Sequence, residues 1–123
     1  MTREEKDLVL QDLSARLPHG VICKTSKGNG HLCSINQHIF GIEYGINIKA
    51  TERDYFDDKE EIKPYLRPMS SMTEEEQREY NKTYWDTQHW EDIDYLNKKM
   101  FDFRGLIPKG LALSTDEYNP YKD

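Results

Sequence analysis

The sequence predicts a single α+β domain in which helices flank a small antiparallel sheet. Three observations predict this class: an amphipathic, well-capped start, a change to β-branched alternation in residues 21–50, and a return to helical spacing after residue 73. The 123 residues are enough for one domain with a single modest core. We therefore expect residues 1–123 to fold as one unit.

The first helix is predicted over residues 1–18. Thr2 and Glu5 have the spacing of a capping box, in which two side chains satisfy free backbone N–H groups at a helix start. Leucines then recur at helical spacing as far as Leu17, and Pro18 ends the pattern.

An antiparallel meander of three or four strands is predicted over residues 21–50. The turns are expected at "KGNG" and at "NQ", because these residues favour tight turns between strands. Gly41 and Gly45 interrupt the longest run, which indicates a bulge or a bend there. Closure of the meander into a barrel-like sheet is left open.

Residues 51–72 are predicted to be an acidic segment followed by an extended connector. Lys63 and Arg67 each precede a proline, and this position favours extended backbone. Overlapping capping boxes in "SSMTEEE" then predict a helix start near residue 73. Two helices are expected within residues 73–100, followed by a packed tail over 101–123 that contains an edge segment and a frayed end.

The charge is unevenly distributed along the chain. The net charge is -6, yet residues 1–50 contain six basic and five acidic residues, whereas residues 51–123 contain 11 and 18. An acidic chain without a basic stripe is a poor candidate for direct binding to the DNA or RNA backbone. The acidic runs instead predict a solvated surface, a surface for a basic partner, or an imitation of nucleic acid.

A cytoplasmic protein is expected. No apolar run approaches the ~20 residues that span a membrane. The first residues also lack the uninterrupted apolar segment of a signal peptide. We therefore expect the two cysteines to be reduced thiols.

Four metal-ligating side chains fall within a short window: Cys23, His31, Cys33 and His38. Two Cys and two His would suit tetrahedral zinc, and Cys23 could face Cys33 across a hairpin. However, no CxxC or HxxxH pair is present. The alternative is two small buried thiols in a sheet with turn histidines, so we predict no metal or other cofactor.

Catalysis is not expected. A nucleophilic Cys or Ser needs a neighbouring base, and nothing around the cysteines resembles a nucleophile elbow such as GxSxG. Ser70 and Ser71 are better explained as helix caps. The sequence therefore predicts that the protein is not an enzyme.

Two arginines in non-helical, apolar surroundings are candidates for contacts: Arg67 in "YLRPM" and Arg104 in "FDFRGL". Each could fasten its segment to the domain through two-point bonds to a carboxylate or to helix-end carbonyls. Alternatively, Arg67 and Tyr65 form part of a partner-binding surface, since Tyr and Arg are common interface anchors. Tyr80 and Tyr84 share a helix face and complete the set of partner-binding candidates.

Two segments, "IKPYLRPMSSMTEEE" and "FDFRGLIPKGLAL", together with the helical opening, resemble small proteins encoded by gut anaerobic bacteria and by their phages or mobile elements. The resemblance covers the two ends and the centre of the chain but not residues 22–60. It implies a bacterial or prophage origin in the cytoplasm. It implies no chemistry, because no functional residues are defined for that group.

The preferred functional hypothesis is a non-enzymatic interaction module that binds a protein partner through the aromatic connector or the sheet face. One alternative is a regulator of a nucleic-acid system that acts through an acidic surface, as a DNA mimic or as a component of a complex. A second alternative is a small metal-binding domain.

Overall fold

A computed structural model describes residues 2–26, 28–39, 42–49, 53–57, 62–86 and 89–121, with side chains for all of these except 36–39, 42–45, 47, 53–57, 82–86 and 89–92. The helices are α1 (Arg3–Arg16), α2 (Glu74–Asp86) and α3 (His89–Lys98), and short 3-10 helices span Leu17–His19 and Met69–Ser71. The strands are β1 (Ile22–Thr25), β2 (Gly28–Ile39), β3 (Ile42–Lys49), β4 (Arg53–Asp57), β5 (Lys63–Leu66) and β6 (Leu113–Ser114).

The strands form one sheet in the order β4-β3-β2-β1-β5-β6, so the predicted α+β class is confirmed. All neighbouring strands are antiparallel except β5 and the two-residue β6, which are parallel. β4 and β6 end the sheet without pairing to each other, so the sheet is open. The barrel-like closure that the sequence left open does not occur.

The meander differs from the prediction in its second turn. Asn36 and Gln37 do not form a turn but lie inside β2, where they pair with Gly45 and Tyr44 of β3. The long ladder pairs the backbone groups of both strands, and this outweighs the weak turn preference of "NQ". Gly45 is accordingly a strand residue, the irregularity lies between Leu32 and Ser34, and Gly41 lies outside the described residues.

The acidic segment contains a strand that the sequence did not predict. The run "RDYFD" forms β4, in register with residues 45–49 of β3. The connector prediction is confirmed, because its "KPYL" forms the extended strand β5 beside β1. The connector is therefore part of the sheet, and the 3-10 helix Met69–Ser71 follows it.

Two of the three predicted capping boxes are present, at Thr2 and at Thr73, whereas the overlapping box predicted for Ser71 and Glu74 does not form. In α1 the Thr2 N–H donates to Glu5 Oε1 at 2.9 Å, and the Glu5 N–H donates to Thr2 Oγ1 at 3.1 Å. Thr73 and Glu76 repeat this exchange before α2, at 3.1 Å for each bond. Ser71 instead donates its hydroxyl to the Pro68 carbonyl, so the box at Thr73 begins the helix.

The hydrophobic core lies between α1 and one face of the sheet, which we call the covered face. Val9 and Leu13 of α1 are buried against apolar residues of the strands and of the tail. The strand residues of this cluster are Cys23, Leu32, Ile46, Ile48 and Leu66, and the later residues include Met100, Leu106 and Leu111. Burial of such side chains stabilises the fold by about 1.5–3 kcal/mol each.

A buried polar network fastens the tail to α1. The Asp12 carboxylate accepts from Arg16 Nε at 3.0 Å and from Arg104 at 2.6 Å, and neither Asp12 nor Arg16 is exposed. Arg16 also donates to the Phe101 carbonyl at 2.6 Å. Burial lowers the pKa of Arg16, although the neighbouring Asp12 opposes the shift. The network thus joins α1, the end of α3 and the tail at one point.

Tyr121, the last described residue of the tail, is hydrogen-bonded to the sheet. The two residues after it lie outside the described residues, so the frayed end stays a prediction. The Tyr121 hydroxyl accepts from the Ile22 N–H at 2.9 Å and donates to the Tyr65 carbonyl at 2.8 Å. It therefore bridges β1 and β5 beside their last paired residues. Burial raises the pKa of this hydroxyl. The bond spans almost the whole chain, so local sequence gives no sign of it.

Candidate interaction surface

The second face of the sheet, which we call the open face, carries mainly polar side chains at the positions that alternate with the core residues, together with the buried Ile22 opposite His31. In β1, Cys23 is fully buried while the next residue, Lys24, is exposed. Exposed His31 precedes buried Leu32 in β2 in the same way. This alternation is expected of an antiparallel sheet with one face on the core and one in solvent.

Basic residues occupy neighbouring positions in one row of the strand register. The strand register places Ile22 opposite His31, His31 opposite Lys49, and Lys49 opposite Arg53. Neighbouring strands are about 4.8 Å apart, so His31 and the residues at positions 49 and 53 span only about 10 Å. In the adjacent row Lys24 lies opposite Asn29 and Lys63. No strand residue with a described side chain is acidic.

A shallow depression of about 270 Å³ lies at the centre of these rows, lined by Ile22, Asn29, His31, Lys49, Tyr118 and Pro120. Gly30 forms its floor between the strands. A Cβ at Gly30 would come within 2.8 Å of the Lys49 backbone, so only glycine permits this approach of β2 to β3.

One aromatic side chain of the tail borders the open face. Tyr118 is 58% exposed, and its ring meets the buried ring of Tyr65 edge to face at 5.8 Å between centroids. Tyr65 also donates its hydroxyl to Asn29 Oδ1 at 3.0 Å. The open face therefore combines exposed cations with a tyrosine that is held in position.

The two partner-binding candidates of the connector, Arg67 and Tyr65, make contacts within the protein itself. Arg67 binds both carboxylate oxygens of Glu76, at 2.6 and 2.7 Å, and its guanidinium lies 4.2 Å from the centroid of the Phe101 ring. The bond from Arg67 lowers the pKa of Glu76 to about 2. Tyr65 is only 6% exposed. Of the two alternatives for Arg67, these contacts favour a role in fastening the connector.

Arg104 has a similar role in the tail. It donates to Asp12 and, at 3.1 Å, to Asn97 Oδ1, and it stacks on Phe103. Tyr80 is half-buried beside Tyr95, with 6.2 Å between the ring centroids. The side chain of Tyr84 lies outside the described residues.

The four candidate metal ligands are not brought together by the part of the sheet that is described. Cys23 is opposite Gly30, not opposite Cys33, and it points into the core where burial raises the pKa of its thiol. His31 lies on the other face. The side chain of His38 is not described. Among the described residues, no group of three or more His, Cys, Asp or Glu could hold a metal ion.

The acidic runs are only partly described. Side chains of the first run, residues 52–61, lie outside the described set. The second run, "EEEQRE" at residues 74–79, begins α2. There Glu76 is paired with Arg67, and its carboxylate accepts from the Thr73 N–H. Within the described ranges, no helix is long and apolar enough to cross a membrane.

Sequence reasoning missed Lys24, Lys49 and Tyr118 as surface candidates and considered His31 only as a ligand. The alternation in "VICKT" and "INIK" gives the outward position of each lysine. Their alignment in neighbouring rows depends on the strand register, which no short segment encodes. Comparison with protein-family models, with curated proteins and with solved structures found no match.

Proposed function

We propose that this protein is a non-enzymatic interaction module whose open face binds an acidic polypeptide segment of a partner. The observation that carries the proposal is the pair of exposed lysines on that face, Lys24 and Lys49, beside exposed His31, on a protein whose net charge is -6. A local positive patch attracts a negatively charged partner, whereas the negative net charge of the whole protein repels other copies of it.

A peptide suits the open face better than a nucleic acid does. Single-stranded nucleic acids bind on several exposed aromatic rings together with a cationic groove. Here Tyr118 is the one largely exposed aromatic ring among the described side chains. The neighbouring ring of Tyr65 is buried against Tyr118. The acidic remainder of the chain would also repel a long polyanion.

The cytoplasmic and mobile-element origin implied by the sequence resemblance remains part of this proposal. The nucleic-acid regulator and the metal-binding domain remain the alternative hypotheses. The first alternative acts through an acidic surface and the second through metal-ligating Cys and His side chains. Substitution of the lysines on the open face therefore distinguishes the proposal from both alternatives.

The test is binding of a fluorescein-labelled glutamate-rich peptide, measured by fluorescence anisotropy, with a single-stranded DNA of equal charge as the comparison. Lys24→Gln/Lys49→Gln should weaken peptide binding about tenfold, because two favourable charge pairs of about 0.7 kcal/mol each are lost. Arg78→Gln/Lys109→Gln removes the same charge from exposed positions elsewhere and should change the dissociation constant by less than about twofold.

Equal weakening by both double variants would show that the attraction is not specific to the open face and would contradict the proposal. Tighter binding of the DNA than of the peptide, lost in Lys24→Gln/Lys49→Gln, would move the partner class to nucleic acid. Absence of peptide binding at low ionic strength would also contradict the proposal.

A further inference from the structure

A second concave site has a lining that shares no residue with the depression on the open face. A cleft of about 730 Å³ opens between the end of α3, the connector and the tail. Its volume is within the range of about 300–1,000 Å³ that is typical of small-molecule sites. Lys98 and Lys99 form one wall, Thr73 belongs to the connector side, and Thr115 and Asn119 belong to the tail.

The ionic groups of this cleft are predominantly cationic. Among the described residues, neither Lys98 nor Lys99 has an ion-pair partner, whereas the charge of Arg67 is balanced by Glu76. Asp116 is the one carboxylate in the described lining. His19 closes the remaining side and lies 3.4 Å from Asp94, whose carboxylate is largely exposed.

The neutral polar groups of the cleft retain donors rather than acceptors. Asn119 Oδ1 already accepts from the Tyr121 N–H at 2.9 Å, so its amide N–H groups are left to donate. Thr73 Oγ1 accepts from the Glu76 N–H at 3.1 Å, which leaves its hydroxyl proton. The Ser71 carbonyl already accepts from Arg67 at 3.1 Å. A ligand in this cleft therefore meets ammonium, amide and hydroxyl donors.

We infer that the cleft binds a small anion that carries two or more phosphate or carboxylate groups. Such groups offer several acceptor oxygens and negative charge, which match two ammonium groups and the spare donors of Asn119 and Thr73. The cleft is separate from the open face, so this inference does not depend on the proposed peptide interaction.

The test is isothermal titration calorimetry of the full chain with pyrophosphate and with citrate, in buffer brought to constant ionic strength with NaCl. At least one anion should bind with a dissociation constant near or below about 1 mM, and Lys98→Gln/Lys99→Gln should weaken that binding by about tenfold or more. Lys24→Gln/Lys49→Gln is the matched control and should leave the constant within about twofold. Pyrophosphate and citrate distinguish phosphate from carboxylate recognition.

Asn119→Asp provides an independent variant if the lysine pair proves necessary for folding. An aspartate keeps the acceptor for the Tyr121 N–H but replaces the free amide donor by negative charge, so anion binding should weaken by about tenfold. The inference is overturned if neither anion binds at 10 mM, roughly the weak limit for a specific small ligand. It is also overturned if Lys24→Gln/Lys49→Gln weakens binding as much as Lys98→Gln/Lys99→Gln does.

Discussion

The two faces of the sheet are built from alternate residues of the same strands, and they differ in almost every physical property. Cys23, Leu32 and Ile48 lie in the core, while their chain neighbours Lys24, His31 and Lys49 are exposed. The covered face is closed by α1 and the tail, whereas the open face has no helix packed on it among the described residues. We therefore expect substitutions on the covered face to change stability and substitutions on the open face to change binding.

The largest effect is expected from the buried network behind the covered face. Asp12→Ala removes the carboxylate that Arg16 and Arg104 share and leaves a buried guanidinium without its partner. Breaking a buried pair in this way costs about 3–5 kcal/mol of unfolding free energy. Urea denaturation measures the loss. Asp7→Ala, at an exposed position of the same helix, is the control and should change stability by less than about 0.5 kcal/mol.

The second largest loss of stability is expected from the Tyr121 hydroxyl. Tyr121→Phe keeps the ring but removes the hydroxyl that bridges Ile22 and Tyr65, and it should cost about 1–3 kcal/mol because a buried N–H and a buried carbonyl lose their partner. Tyr118→Phe removes a hydroxyl with no bond to a described residue and should have little effect. Equal thermal stabilities of the two variants would refute the bridging role of Tyr121.

The ion pair of the connector should give a smaller effect that depends on pH. Glu76→Gln keeps a side chain that can cap α2 but removes the charge paired with Arg67, at an expected cost of about 2 kcal/mol at pH 7 for this half-buried pair. The pKa of Glu76 in the folded protein, about 2, lies below its ordinary value of 4.5. The stabilisation is therefore fully present above about pH 4.5 and is lost as the pH falls toward 2.

Urea denaturation at pH 7 and at pH 3 tests this dependence. The difference in unfolding free energy between the wild type and Glu76→Gln should fall by about half at pH 3. A difference that stays constant between the two pH values would show that the carboxylate charge is not responsible for the stabilisation.

The smallest effect on stability is expected on the open face. Lys24→Gln/Lys49→Gln should change the unfolding free energy by less than about 0.5 kcal/mol, because both side chains are exposed strand residues outside the core. The same variant should lose most peptide binding. A large loss of unfolding free energy in this variant would contradict the expectation that the open face contributes little to stability.

The parts of the fold that depend on local sequence were predicted well. The capping boxes at Thr2 and Thr73 form as expected, because each needs residues only three positions apart. The extended connector follows from the two residues that precede proline. The second turn was wrong and β4 was missed, because both depend on pairing with β3.

The candidate surface could not be predicted from local sequence patterns. Arg67 and Tyr65 are residue types that are common at interfaces. However, Arg67 is paired with Glu76 and stacks on Phe101. The ring of Tyr65 packs against Tyr118. Lys24 and Lys49 lie 25 positions apart in the chain, and only the register of β1, β2 and β3 brings them to one face. Residue type alone does not reveal such contacts between distant segments.

The most direct test of the separation between the faces is a two-dimensional ¹H–¹⁵N NMR titration of the full chain with the glutamate-rich peptide. We expect the shifted amides to cluster at Lys24, Asn29 to His31 and Lys49, with the amides of α1 unchanged. Shifts that cluster on α1 or α2, or a spectrum that does not change at saturating peptide, would contradict this expectation.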